Sequence, residues 1–478
     1  MLLNQWNIPR PNKKHVEMKD YAQYSFWLET AGENLTSRAS LAGSKEVDFA
    51  ILGGGYSGLW TAYYLKRGNP DLRIAILERE IVGFGASGRN GGWCSSRFPV
   101  TPAVLGERFG DGVARNLLLA MFDAVDEVGR ICAREEIAAH YRKGGILTVA
   151  RGAHQEPSLR ASYEGYCRLG LGGYFQLLSA EESRERVNIT NVRAGLYTPE
   201  SASVHPAKLA RGLARTLEKQ GVAIYEQTEV TEVVADTAPR LVTPSGELRA
   251  KQGVLLAGEA YLTRLRKFHR ALLPMYSLIS ITEPLTAAQW AEVGWRNYES
   301  LASYRLTVDY LTRTADGRIL FGSRGAPYRF ASLITDDQDR HELTHSRIHH
   351  LVGEWFPALK GIEFTHNWGG PVGMPRDWMP AVRFDPTAHV GFIGGYTGQG
   401  VATSNLAGRV MAALLTEPTS PLARLPMAQR RSPNWEMEPL RWLVVRYMQK
   451  AFQRMDEAME DGKPQPLDAR IVETLGKH

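Results

Sequence analysis

Cysteine is scarce: Cys94, Cys132 and Cys167 are the only three in 478 residues. They make neither a CxxC pair nor a disulfide framework, which argues against a stapled secreted domain and a thiolate metal site. Histidine lacks metal spacing as well. His349 and His350 are adjacent, and His341 and His345 stand four apart without the glutamate of an HExxH pattern, so no metal is expected. Long apolar runs are missing too. No stretch reaches the roughly 18 uninterrupted apolar residues of a membrane span. In the opening MLLNQWNIPRPNKKH, polar residues interrupt every apolar pair, unlike the core of a signal peptide. The expectation is a cytoplasmic, reduced protein that is not integral to a membrane. Nor is there a run of five or six Lys/Arg, so nucleic acid is not an expected partner; a net charge of +6, from 57 basic and 51 acidic residues, leaves only a mild bias toward anionic ligands.

What is present is a large globular chain. With 44% hydrophobic residues it holds enough apolar material for two or three domains, and no period repeats along it. Tyr21 to Leu35 reads as a short helix or aromatic arm. Val47 to Leu52 is an almost continuous apolar run, as a strand buried on both faces requires. GGGYSG follows at once, then Leu59, Ala62 and Leu65 at helical spacing, the Asn69-Pro70-Asp71 turn, and a second strand, Arg73 to Leu77, that stops at Glu78. This is one βαβ unit. Residues 103 to 140 read as helical, with Leu117, Leu118, Met121, Val125 and Val128 on one face. Strands are expected at 144–149, 222–225, 230–234, 253–257 and 389–393, with a strand-rich stretch over 276–321, and helices at about 206–220, 401–415 and 438–459.

Nucleotide-domain patterns therefore return three times. The expected fold is α/β (α+β overall): a Rossmann-like domain built from discontinuous segments, with an inserted, mainly antiparallel-sheet substrate domain. The boundaries read as an N-terminal arm at 1–45, nucleotide-binding segments at 46–100, 196–265 and 366–418, substrate-domain segments at 101–195 and 266–365, and a helical tail at 419–478.

Gly53, Gly55 and Gly58 fill the GxGxxG template. The first allows the tight turn, the second lets backbone approach a pyrophosphate, and the third lets helix pack on strand. Glu78 sits about 20 residues further on, where an acid receives ribose hydroxyls; an acid there disfavours a 2′-phosphate. The loop Gly83-Phe84-Gly85-Ala86-Ser87-Gly88-Arg89-Asn90-Gly91-Gly92 offers many free backbone donors to a ligand that extends past the pyrophosphate. A third glycine-rich turn, Gly394 to Val401, leads into a helix whose positive end suits the charge that reduction places on a flavin pyrimidine edge.

The stretches VDFAILGGGYSGLWTAYYL, GFGASGRNGG, SVHPAKLARGLA, GVLLAGEAYL, DYLTRTADGRILFG and GGYTGQGVATSNLAGRVMAALL resemble, in order and spacing, the FAD-dependent amine and amino-acid oxidoreductases typified by D-amino-acid, glycine and sarcosine oxidases. Within that group the chain looks most like the γ-glutamylputrescine oxidase branch. The resemblance covers about 45–420. It implies FAD beneath a sheet-lined cavity, hydride transfer from a carbon bearing nitrogen to flavin N5, and adenine meeting the backbone of Val230. The implied cofactor contacts are Gly53, Gly55, Tyr56, Ser57, Gly58, Glu78 and Arg79; then Gly85, Ser87, Arg89, Asn90, Gly91 and Gly92; then Val230 and Gly258; and finally Gly395, Thr397, Gly398, Gln399, Gly400 and Val401. Some relatives attach flavin through a His after the second strand or a later Cys. Neither is available here, so FAD is expected to be non-covalent.

Amine oxidation asks little else of the protein: a neutral amine, a C–H held against the flavin, and exclusion of water. Aromatics that shape a cavity and a cation for the substrate's far end are the candidates to seek. Tyr276, Tyr310, Arg324 and Trp368 are the choices for the substrate side. The expected partners are a small amine or amino acid and O2 or another electron acceptor, with the oligomeric state left open. A dehydrogenase passing electrons to a quinone or electron-transfer protein is the alternative. The tail helix, about Glu438 to Met459, is expected to pack on its own chain, with subunit contacts or a membrane surface as its other uses.

Overall fold

The computed structural model describes residues 19–470 and 472. The strand Lys45–Leu52 lies in the middle of the first sheet, with Phe49, Ala50 and Ile51 buried. Its two parallel neighbours are Gly246–Leu256 and Ile74–Leu77. Ala223–Tyr225 extends the sheet beyond Ile74–Leu77, and Val390–Gly394 extends it beyond Gly246–Leu256, both in parallel. Ala381–Asp385 closes that edge in the antiparallel sense. A parallel sheet needs cover on both faces, which explains why these strands read as apolar runs without alternation.

The helices Tyr56–Gly68 and Gly400–Thr416 pack together on this sheet. Their backbones meet at Gly408, where an added Cβ would stand 2.8 Å from the Cβ of Trp60. The long helix Asp111–Arg134 lies alongside, burying the face predicted for it: Leu117, Leu118, Met121, Val125 and Val128. The stretch 103–140, expected to be helical, holds two helices, Pro102–Phe109 and Asp111–Arg134. They are divided at Gly110, which takes a φ of +86° outside the helical region.

The second sheet runs Phe364–Met374, Leu273–Thr282, Ile319–Arg324, Asp309–Arg313, Ser300–Ser303, Ile146–Arg151, Val192–Thr198 and Gln176–Ser179. All its pairs are antiparallel except Ser300–Ser303 with Ile146–Arg151. Period-two alternation decides which side chains serve which face. In Leu273–Thr282, Tyr276 and Leu278 pack beneath the helix Glu342–Trp355, whereas Ile279 and Ile281 join Trp27 and Trp368 on the opposite face. Phe364–Met374 belongs to this sheet, so the return to the first sheet falls at Ala381–Asp385 rather than at 366.

The tail folds back on its own chain, as expected. Val445 of the helix Leu440–Glu460 packs with Leu273, Tyr328 and Met374, and Arg441 is buried against Glu438 at 3.0 Å. No helix of the described residues is long and apolar enough to cross a membrane.

Candidate active site

The first glycine turn is held by geometry that larger residues cannot take. Gly53 has a φ of +109°, and a Cβ there would lie 2.6 Å from the carbonyl oxygen of Ala257. At Gly58 a Cβ would lie 2.2 Å from the carbonyl oxygen of Gly53, so this glycine lets the helix Tyr56–Gly68 seat directly on the strand end. Gly55, at the N-cap of that helix, supplies no side-chain hydrogen bond of its own to the helix's positive end. Glu78, at the end of the second strand, accepts from the amides of Gly54 at 2.8 Å and Glu80 at 2.9 Å. Burial pushes its carboxyl up to about 7 against the pull of those two amides.

The loop from Gly83 to Gly92 folds over this turn. Ser87 accepts from the amide of Tyr56 at 2.9 Å, tying loop to helix. Arg89 is buried, donating to Asp339 at 2.6 Å and to the Tyr261 hydroxyl at 2.8 Å. Burial works against its charge, but Tyr261 and Asp339 outweigh it and hold the pKa above the ordinary value. Asn90 fastens the loop through bonds to the carbonyls of Ala86 and Ser87.

The third turn crosses the same space. Gly395 and Tyr396 donate their amides to Glu259, each at 3.1 Å, and the Tyr396 hydroxyl meets Ser57 at 2.7 Å. Glu259 is pushed up to about 7 by burial. The helix Gly400–Thr416 also starts without a side-chain bond from its N-cap residue, so two helix N-termini border one cleft.

That cleft has a volume of about 470 Å³, within the range of cofactor and ligand sites. Of the predicted first-turn residues, Gly53, Gly55, Tyr56, Ser57, Glu78 and Arg79 line it. So do Gly85, Ser87, Arg89, Asn90 and Gly91 of the loop, Val230 and Gly258 at the far end, and Thr397, Gly398, Gln399, Gly400 and Val401 of the third turn. Gly58, Gly92 and Gly395 stand behind the wall. An added Cβ at Gly92 would meet the Val204 carbonyl oxygen at 2.7 Å, and Gly395 donates to Glu259.

The candidates on the second sheet divide by face. Tyr310 and Arg324 line the cavity. The Tyr310 ring is seated between two glycines: a Cβ at Gly91 would come within 2.4 Å of it, and one at Gly322 within 2.0 Å. Its hydroxyl meets Ser277 at 2.8 Å, and burial pushes it up to about 12. Arg324 donates to the carbonyl of Thr397 at 3.0 Å and has no ion pair with a carboxylate among the described residues. Its enclosed position lowers its pKa below the ordinary arginine value.

Tyr276 and Trp368 are not on the cavity wall. Tyr276 points to the other face of the sheet, where its hydroxyl donates to the Thr335 carbonyl and accepts from the Thr335 amide, each at 3.0 Å. Trp368 is buried beneath the loop and donates to the carbonyl of Arg89 at 2.8 Å, so it supports the loop without reaching the cavity. Sequence reasoning missed Trp93, Arg97, Glu259 and Tyr261, which all line the cleft. Glu259 follows directly on Gly258 and Tyr261 comes two residues later, and that nearness to a strand end was the available signal.

The residues present fit FAD. Two helix N-termini on the cleft and an acid at the second strand end suit a dinucleotide. Three buried polar atoms on the wall, Glu259 Oε2, Arg89 Nε and Thr397 Oγ1, have no protein partner, and buried polar groups normally find one.

A family model described as FAD dependent oxidoreductase matches residues 48–414. The chain belongs to that family. It is 29% identical over 371 residues to gamma-glutamylputrescine oxidoreductase of Escherichia coli, covering 77% of this chain and 83% of the relative. It is 30% identical to the probable oxidoreductase OrdL of Rhizobium meliloti, covering 78% and 84%. Among solved structures, glycine oxidase from Geobacillus kaustophilus aligns with a TM-score of 0.68 at 19% identity, covering 81% of this flavoprotein and 99% of that chain.

Proposed function

We propose that this chain oxidises the C–N bond of a small primary or secondary amine or amino acid that carries an anionic group, with Arg324 as the anchor for that anion. The observation that carries the reading is a guanidinium on the wall of the cofactor cleft with a carbonyl partner and no carboxylate. A cation left without an acid at a ligand-facing position is a recognition element for an anion. The names of the relatives, gamma-glutamylputrescine oxidoreductase and glycine oxidase, support a nitrogen-bearing substrate.

The first and third turns would hold FAD, with Glu78 toward the ribose and Val230 toward the adenine. Bound FAD supplies a two-electron acceptor at N5 for the hydride, and O2 as final acceptor leaves as hydrogen peroxide. The product imine then takes up water, giving a carbonyl compound and releasing ammonia from a primary amine or an amine from a secondary one. The protein's own part is placement. Arg324 fixes one end of the substrate, and Tyr310, locked by Ser277 and the flanking glycines, forms the wall beside it. Among the described lining residues there is no histidine or cysteine, which favours non-covalent flavin and a substrate that binds as the neutral amine without a dedicated histidine base.

The test is anaerobic bleaching of flavin absorbance across a panel: glycine, sarcosine, γ-glutamylputrescine, neutral alkylamines, and a 2-hydroxy acid as the C–O control. Fast bleaching by anionic amines supports the reading. Bleaching by the hydroxy acid alone refutes it. Peroxide formed during turnover in air distinguishes O2 from a quinone or electron-transfer protein as acceptor.

A further inference from the structure

The family match ends at residue 414, yet the tail beyond it reaches back to Leu306 and Thr307, in the loop that precedes the strand Asp309–Arg313 and bonds to the backbone of Arg324. Asp456, on the helix Leu440–Glu460, is 2% exposed although it carries an ionisable carboxylate. Its Oδ1 accepts from the amide of Leu306 at 2.9 Å. Its Oδ2 accepts from the amide of Thr307 at 2.8 Å and the Thr307 hydroxyl at 2.6 Å. The carbonyl of Thr307 in turn accepts from the amide of Arg324 at 3.2 Å. Next in the chain, Val308 lines the cavity at a φ of +61°, a backbone region that a β-branched residue rarely takes unless its neighbours hold it there. Its carbonyl accepts from Ser323 at 2.9 Å.

The same helix grips the chain on the other side of Arg324. Gln449 accepts from the amide of Tyr328 at 3.0 Å and donates to the carbonyl of Ala326 at 3.1 Å. The two segments flanking the arginine thus end on one helix, and the arginine's own head group is held by a single carbonyl, that of Thr397.

We propose that Asp456, with Gln449 beside it, is a positioning residue for substrate binding: the tail helix fixes the 305–308 and 325–328 segments and so sets where Arg324 presents its guanidinium. The proposal rests on Arg324 being the anion anchor. Charge-assisted bonds to backbone amides are among the stronger ones in proteins, and a displacement of about 1 Å at an anchoring group weakens its contacts severely.

The experiment uses full-length holoenzyme and benzoate, a carboxylate whose binding beside a flavin perturbs its visible spectrum. Asp456→Asn is expected to raise the benzoate Kd about tenfold, and Gln449→Leu severalfold, with FAD content unchanged. Hydrogen exchange at the Leu306 and Thr307 amides should quicken in Asp456→Asn. Gln453→Ala, an exposed change on the same helix, should match wild type. Gln449→Leu removes neutral hydrogen bonds only, so it keeps the test open if Asp456→Asn folds poorly. If both variants bind benzoate within twofold of wild type, the proposal is overturned. Arg324→Met separates the two ideas. Benzoate binding lost there but intact in the tail variants refutes the tail's role alone, whereas binding intact in Arg324→Met refutes the anchor and the proposal with it.

Discussion

Two arginines on one cavity wall should respond to deletion in opposite ways. Arg324→Met keeps most of the side-chain volume and removes the charge. It leaves only the Thr397 carbonyl without its 3.0 Å donor, and that carbonyl faces the cleft, where water can replace the bond. No carboxylate is stranded, so stability should change by no more than about 1 kcal/mol. The loss falls on substrate instead. A hydrogen bond to a charged group is worth roughly 1.5–3 kcal/mol, so kcat/KM for an anionic amine should fall roughly 10- to 150-fold. A neutral alkylamine of the same length should lose little, because it never used the charge. Arg89→Met is the contrast. Asp339, itself pushed up to about 6 by burial, would lose its 2.6 Å partner inside the protein. Breaking a buried pair in this way costs about 3–5 kcal/mol. Thermal melting of both variants, with kinetics on the paired amines, makes the test. The reasoning fails if Arg324→Met lowers kcat/KM equally for charged and neutral amines, or if Arg89→Met melts with wild type.

Gly58→Ala should yield protein with little bound FAD and a lower melting temperature, since its Cβ would sit 2.2 Å from a backbone oxygen; flavin content after purification measures this. Tyr276→Phe should cost about 1–3 kcal/mol by stripping both partners from Thr335 while leaving kinetics alone, whereas Tyr310→Phe, which loses the Ser277 bond at the cavity, should alter kcat/KM with less effect on melting. For Glu259, with its folded pKa raised to about 7, folding takes up a proton between the ordinary glutamate range and 7. Its contribution is therefore greatest at low pH and is lost as pH rises through 7. Relative to wild-type apoprotein, Glu259→Gln should gain in melting temperature from pH 5 to pH 8, and a gap that moves the other way refutes the assignment. Denaturation should release all flavin into the supernatant; yellow colour left on precipitated protein would show a covalent bond.

The first sheet was legible because its signals are local. An apolar strand, a glycine turn with positive φ, a helix and an acid at the next strand end all fall between Val47 and Glu78. The helix Pro206–Lys219 was equally plain, with His205 as its cap, accepting from the amide of Lys208 at 3.3 Å. What the sequence hid was non-local. Phe364–Met374 reads as a lead-in to the last nucleotide-domain strand, but its partner is Leu273–Thr282, some ninety residues earlier, and no local pattern records that pairing. Gly110 also splits a helix whose apolar spacing continues across the break.

The division among the site candidates has a similar cause. Tyr276 and Ser277 are neighbours in sequence, yet one packs under the helix Glu342–Trp355 and the other meets Tyr310 over the cleft. On a strand buried from both sides both positions tolerate a large or polar side chain, so composition cannot say which residue faces the cofactor. The faces are settled by pairing: Ser277 lies opposite Arg324 and Tyr310 opposite Gly322, which puts Ser277, Tyr310 and Arg324 on one side. Gly322 and Gly91 then carry information that a motif search discards. Each leaves the space into which the Tyr310 ring fits, so two glycines far apart in sequence define where one aromatic wall can stand. Arg324 was recoverable for a different reason. A cation near a predicted strand end with no acid in its local sequence either reaches water or waits for an anion, and the register turns it inward, away from bulk water.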